Sequence, residues 1–234
     1  SKAGNFHITD EQLGTGTLKE KYRRNVEAIQ LLKQLEEENR QADRFEQETL
    51  SNYVGWGGLS DVFDANKQNW TEEYNELKEL LTDAEYKAAR ESVLNAHFTQ
   101  PVIIESIYKA LEQMGFRNGN VLEPSMGIGN FFGVMPESMR GSKLYGVELD
   151  DISGRIARQL YPDAEIQITG YENSGYPDDF FDVAVGNVPF GNYQIYDRRY
   201  ERQHFMIHDY FLLNTRSATK RWSGCVYHVE GHDG

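Results

Sequence analysis

"NVLEPSMGIGNFFG", Asn120–Gly133, decides the fold class. Asn120–Pro124 reads as a short strand that the proline ends, and Gly127 and Gly129 then let the backbone turn tightly and approach a ligand closely. A lone Gly-x-Gly also serves an ordinary strand-to-helix turn. The dinucleotide fingerprint needs a third glycine three residues after the second, and that position holds Phe132. Asn130-Phe131-Phe132 therefore argues against a pyrophosphate seat and for a ligand without phosphates.

Outward from this stretch, strands and helices alternate. "VIIESIYKALEQMGF" is an amphipathic helix starting after Pro101, and "KLYGVELD" (Lys143–Asp150) is a second strand ending in acids. "DISGRIARQLYP" is a helix, "AEIQIT" (Ala164–Thr169) a third strand, and Phe181–Val185 a fourth that Gly186 stops. This rhythm implies a parallel sheet with crossover helices, whose ligands bind at the carboxyl ends of the strands. Glu148 ends the second strand, 25 residues after Glu123. An acid placed there can accept both hydroxyls of a ribose, although a lone strand-end carboxylate is more often simply solvated.

Residues 1–95 read as a helical N-terminal extension. Leu18, Tyr22, Val26, Ile29, Leu32 and Leu35 recur every three or four residues in a helix expected to run from Leu18 to Arg44. Thr17 and Glu20 form a capping box at its start. Gly55, Gly57 and Gly58 around Trp56 mark a tight turn with an aromatic anchor, and further helices follow near Glu72–Leu81 and Asp83–Leu94. "GTGTLKE" lacks the Gly-Lys-Ser/Thr ending of a phosphate loop and follows no strand.

The chain of 234 residues suits one sizeable α/β domain with an appendage. Its 24 basic and 37 acidic residues give a net charge of −13, with no basic tail or stripe, so most of any grip on nucleic-acid phosphates is expected in polypeptide outside this chain. The single cysteine, Cys225, excludes an internal disulfide framework and a cysteine-rich zinc site, and no metal is expected. No apolar run approaches a membrane span and the N-terminus shows no basic-then-apolar pattern, so a cytoplasmic protein without a membrane partner is expected.

The fourth strand leads into Asn187-Val188-Pro189-Phe190. A flipped-out purine needs a stacking surface and acceptors for its exocyclic amine. Asn187 offers a side-chain carbonyl, Pro189 leaves neighbouring backbone carbonyls free to accept, and Phe190 offers a ring face worth about 1–3 kcal/mol per stacked base. A proline turn with a buried Phe is the plainer alternative for these four residues alone.

Taken together, "EPSMGIGNFF", "YGVELD" and "GNVPFG" resemble the amino-group (adenine-specific, N-6 type) DNA methyltransferases, whose signature is Asn/Asp-Pro-Pro-Tyr/Phe after the fourth strand. "YVGWGGLSDVFD", "FTQP" and "GNVPFGNY" further resemble the methylase portion of large methylase–helicase proteins of conjugative and phage-like elements. The resemblance implies a Rossmann-like S-adenosylmethionine-dependent methyltransferase sheet over 96–214. It also implies DNA as substrate, a fused or associated helicase, and a restriction-modification or mobile-element setting. By the same resemblance the cofactor-binding residues are Phe98, Thr99, Glu123, Pro124, Gly127, Gly129, Asn130, Phe131, Glu148, Leu149 and Glu172, with Glu148 on the ribose. Asn187, Val188, Pro189 and Phe190 would carry the target adenine and the chemistry. This sequence departs from the pattern at Val188, which replaces the first proline, and "TGYENSG" leaves Glu172 or Tyr171 as the contact for the cofactor's adenine. A protein-glutamine or RNA methyltransferase, or a catalytically degenerate DNA-binding scaffold, remain open alternatives.

The family continues with a helix, here "RQHFMIHDYFLLN", and then a strand resembling "GGVVAYITSKG". Residues 215–234 instead read as an aberrant tail with little strand pattern. One choice of codons from Trp222 onward, read one base later, spells G-V-V-A-Y-I-T-S-K-G-T-M, which leads to the expectation of a frameshift near 215–221 and a sheet truncated after its fourth strand. On that expectation His228 and His232 are not a metal pair, and this chain would methylate DNA poorly or not at all.

Overall fold

The computed structural model describes residues 3–94 and 98–187 and the backbone of 225–228. His97, Val188, Pro189, Phe190, the helix expected at 202–214 and His232 lie outside these described residues.

Helix α1 (Leu18–Glu37) starts at the expected capping box, with Thr17 and Glu20 each satisfying the other's backbone N–H. It ends seven residues earlier than the sequence pattern suggested, because Asn39 adopts a left-handed φ of 49° and Asp43 caps a new helix, α2 (Arg44–Ser51), with Glu46 completing its own capping box. Helices α3 (Thr71–Leu80) and α4 (Asp83–Ser92) follow as expected. Trp56 is buried and meets Phe63 and Tyr53 edge-on, so the glycine-flanked turn does anchor an aromatic cluster.

Helix α5 (Pro101–Gln113), with proline in its first turn, precedes β1 (Asn120–Glu123), the short helix α6 (Asn130–Val134), β2 (Lys143–Glu148), α7 (Asp151–Leu160) and β3 (Glu165–Ile168). Strand β4 spans Val183–Asn187 and β5 spans Cys225–His228. All pairings are parallel, in the order β3-β2-β1-β4-β5. Two expectations are corrected here. The fourth strand does not stop at Gly186: Gly186 and Asn187 continue the ladder opposite residues 227 and 228 of β5. Nor does the sheet end at its fourth strand, since four residues of the tail supply a fifth despite their weak alternation.

The sheet is covered on both faces, as an all-parallel sheet requires. Val121, Val183 and Val185 pack with Ile104, Tyr108 and Leu111 of α5 on one side. On the other, Ile152, Ile156 and Leu160 of α7 join a core that continues without interruption into Ile29, Leu32, Leu35, Trp56 and Leu77 of the N-terminal helices. Helix α7 is thus sandwiched between the sheet and the N-terminal layer.

Charge fixes that layer in place. Arg155 on α7 pairs with Glu36 of α1, Glu85 of α4 and Asp151, and Lys33 of α1 also holds Glu85 at 2.9 Å. Burial alone would push the Glu85 carboxyl up, but hydrogen bonds from Lys33 and Arg155 outweigh it and hold the group at about 2. A depressed carboxylate contributes stability above its unfolded value of about 4.3 and loses it as pH falls towards the folded value. Replacing Arg155 with Ala is expected to lower unfolding stability by about 2 kcal/mol at pH 7, because a partly buried acid loses a partner. Denaturant titrations between pH 5 and pH 2.5 should show the gap between the unchanged chain and Arg155→Ala narrowing as Glu85 protonates.

Candidate functional site at the ends of β1, β2 and β4

Strands β2 and β3 lie on one side of β1, and β4 and β5 on the other, so the chain reverses direction across the sheet between β1 and β4. Crevices at such a switch point, beyond the carboxyl ends of the strands, are where open α/β sheets bind ligands. Glu123, Glu148 and Asn187 are the last residues of β1, β2 and β4.

The glycine loop between β1 and α6 is hooked onto β2. Met126 N–H donates to the Val147 carbonyl at 3.0 Å, and Gly127 N–H donates to Glu148 Oε2 at 2.6 Å. Glu148 Oε1 accepts from Asp150 N–H at 2.7 Å. A carboxylate offers about four acceptor positions, so two backbone donors leave roughly half of them for ligand hydroxyls. Desolvation pushes the Glu148 carboxyl up to about 7, with the Asp150 charge adding to the rise and the backbone hydrogen bonds opposing it. Leu149 follows with its apolar side chain exposed, beside the acid that ends the strand.

The two glycines do different work. Gly127, at a φ of 55°, would place a Cβ in open space, so it leaves room at the crevice. Gly129, at a φ of 87°, would drive a Cβ to within 2.6 Å of the Tyr161 ring, so it permits close packing instead.

Three carboxyl or amide oxygens, at the end of β1, the start of α6 and the end of β4, are buried and lack a donor among the described residues: Glu123 Oε2, Asn130 Oδ1 and Asn187 Oδ1. Glu123 is almost fully buried, and desolvation, with the Glu148 charge behind it, pushes its carboxyl well above the usual range. A buried acceptor without a partner costs about 1–3 kcal/mol, so a set of them at one crevice fits a ligand rich in N–H and O–H donors. Such a ligand includes a nucleoside with free hydroxyls and an ammonium group. These three oxygens are acceptors, not the N–H donors that a phosphate needs, in keeping with Phe132 in place of the third glycine.

The remaining expected residues divide. Pro124 follows β1 and faces Gly186, where an added Cβ would stand 3.6 Å from the proline ring. Phe131 is drawn away from the crevice into the core beside Ile104 and Tyr108, and offers only its carbonyl, to the Tyr108 hydroxyl at 2.7 Å. Thr99 is buried, and the Phe98 ring lies so close to Gly14 that a Cβ there would overlap it. Glu172 sits half-buried on the turn Tyr171–Asn173 after β3, whereas Tyr171 is in the core, so of the two only Glu172 keeps a side chain partly open to solvent.

Two contributors were not legible beforehand. Ser125 Oγ donates to the Asn187 carbonyl at 2.7 Å and ties the glycine loop to the end of β4. Tyr53, from the turn before Trp56, is buried close enough to Asp150 and Glu148 for their charges to add to the rise that its burial causes. The "YVGWGG" segment thus backs the acid end of β2. Elsewhere, a groove between α1 and α3 is lined by Lys19, Arg23, Glu72, Glu73 and Glu76, and Lys19 already pairs with Glu73 across it. Among the described residues no cluster of three metal-ligating side chains occurs, and no helix is long and apolar enough to cross a membrane.

The fold is α/β and Rossmann-like. No family model matches the chain. Over 132 residues, 54% of its length, it is 33% identical to "Defense against restriction protein B" of Escherichia phage P1, and it spans about 6% of that relative. Among solved structures, a protein described as a class I S-adenosylmethionine-dependent methyltransferase from Listeria monocytogenes aligns over 89% of this chain and 73% of its own, at 14% identity and a TM-score of 0.45. Geranyl diphosphate C-methyltransferase of Streptomyces coelicolor, solved with S-adenosyl-L-homocysteine, aligns over 93% and 66% at 12% identity and a TM-score of 0.39.

The contrast between the glycines is testable without any ligand. Gly129→Ala should lower the thermal midpoint by several degrees more than Gly127→Ala, because only the former meets Tyr161 and Met126. Equal losses in differential scanning calorimetry would contradict the packing role of Gly129.

Proposed function

We propose that this chain is the catalytic portion of a DNA adenine methyltransferase that uses S-adenosylmethionine as methyl donor. The observation that carries it is the meeting, at one switch point, of a Glu148-held glycine loop and an Asn187 whose amide oxygen has no donor among the described residues. The sequence Val188-Pro189-Phe190 follows that amide directly. The phage relative, by its name a protein of defence against restriction, supports DNA as the substrate, since methylated sites resist cleavage.

In this assignment Glu148 accepts the ribose hydroxyls, Leu149 provides an apolar surface for the adenine ring, and Gly127 leaves space for the backbone's approach. Glu172 is the acid that reaches the nucleobase. Glu123 Oε2 and Asn130 Oδ1 accept from the ammonium end. When bound, S-adenosylmethionine supplies an electrophilic methyl group on a positively charged sulfur. Asn187 Oδ1 would accept a hydrogen bond from the target amine and, with a carbonyl of Val188 or Pro189, would orient its nitrogen towards that methyl. Transfer would form the nitrogen–carbon bond at the expense of the donor's carbon–sulfur bond, with S-adenosylhomocysteine as leaving group and the amine's proton passing to solvent. Phe190 stacks on the extruded base. No covalent intermediate on the protein is required, so orientation supplies most of the acceleration. DNA phosphates are gripped, and a helicase is supplied, by polypeptide outside this acidic chain.

A degenerate scaffold is favoured by one observation, Val188 in place of proline. Radiolabelled methyl transfer to DNA, RNA and protein separates the alternatives. With the full-length protein, label in DNA adenine is expected, and label in glutamine or RNA instead would reassign the substrate. Asn187→Ala should reduce transfer at least 100-fold while leaving donor binding within about threefold. Because the donor requires ionised Glu148 and burial holds that group near 7, affinity measured by calorimetry should rise about tenfold from pH 6 to pH 8. A flat profile would remove Glu148 from the donor site.

A further inference from the structure

Strand β1 pairs with β4 in a register that sets Val121 against Val183 and Leu122 against Ala184. Continued by three residues, the same register brings position 125 level with Asn187. The backbone cannot carry the ladder that far, since Pro124 has no N–H and the chain is already turning into the glycine loop. A side chain closes the gap: Ser125 Oγ donates to the Asn187 carbonyl at 2.7 Å.

That bond has an uncommon position. Two residues further on, Gly127 is held by Glu148, so Ser125 belongs to the same short loop that the β2 acid fixes. On its other end is the main chain of Asn187, whose amide oxygen is buried with no donor among the described residues. The opposite edge of Asn187 is in register with residue 228 of β5, so β4 is held from both sides at its final residue. A carbonyl pinned at this point limits rotation of the Asn187 backbone and hence the place of its side chain.

We infer that Ser125 is a positioning residue, whose hydroxyl couples the donor-binding loop to Asn187 so that the amide is held in register with the donor's methyl. This rests on the methyl-transfer assignment above and adds a specific residue to it. Ser125 touches no reacting atom; it acts through Asn187. Displacement of a reacting group by about 1 Å can cost on the order of 100-fold in rate, while binding of the donor, which depends on Glu148 and the loop backbone, need not change.

The test compares the unchanged chain with Ser125→Ala and Ser125→Thr. Calorimetry reads S-adenosylhomocysteine affinity, a methyl-transfer assay on adenine-containing DNA reads kcat, and hydrogen–deuterium exchange reads the 183–187 segment with and without that ligand. Ser125→Ala is expected to bind the ligand within about twofold, to lose about 10- to 100-fold in kcat, and to lose the protection that the ligand confers on 183–187. Ser125→Thr, which keeps a hydroxyl, should recover most of both. If turnover is too slow to measure, exchange decides: equal ligand-induced protection in the unchanged chain and Ser125→Ala overturns the inference. So does a parallel fall in affinity and kcat that Ser125→Thr shares, since that is loss of fold rather than of coupling. Absence of ligand binding by the unchanged chain overturns the methyl-transfer assignment itself, and the role of Ser125 with it.

Discussion

The hydrogen bond from Gly127 N–H to Glu148 Oε2 is the constraint on which the crevice depends. It joins the loop after β1 to the last residue of β2, and a second backbone donor, Asp150 N–H, holds the other carboxylate oxygen. The loop is thereby pinned to the end of β2, and Gly127 is left facing open space. The acid meanwhile is desolvated enough that its proton affinity moves into the neutral range. A group in that condition gains from a ligand's hydroxyls more than a solvated carboxylate would, because the ligand replaces solvation that the fold has removed.

The N-terminal layer is part of the same arrangement. Tyr53 lies behind the acid end of β2, and Trp56 and its aromatic neighbours extend the core that α7 shares with the sheet. Arg155 draws α1 and α4 onto α7 through two carboxylates, Glu36 and Glu85. The N-cap of α7 is Asp150, whose side chain accepts from Ser153 N–H while its own backbone N–H holds Glu148. Movement of the N-terminal helices would therefore be felt at the residue that carries the site.

Much of this was legible in advance, for physical reasons. The capping box at Thr17 and the strand-loop-helix pattern at Asn120–Gly133 are local, and local chemistry is what a sequence states most directly. Glu148 stood out because it ends the second strand after the glycine loop, where an acid can accept both hydroxyls of a ribose. What was not legible depends on partners distant in the chain. The apolar period of α1 runs smoothly towards Arg44, and only the left-handed Asn39 and the cap at Asp43 divide it. The end of β4 is set by β5, about forty residues away, so alternation alone stopped it two residues short. Phe131 carries the same ring whether it lines a crevice or fills a core, and contact with α5 decides for the core. Ser125 has a role only because Pro124 interrupts the ladder opposite Asn187.

The most direct measurement is a crystal structure with S-adenosylhomocysteine bound. The account predicts the ribose hydroxyls within hydrogen-bond distance of Glu148 and the sulfur facing Asn187 across the β1–β4 switch point. A nucleoside seated elsewhere, or an Asn187 amide turned into the protein interior with the ligand present, would contradict it and leave an α/β scaffold without the proposed chemistry.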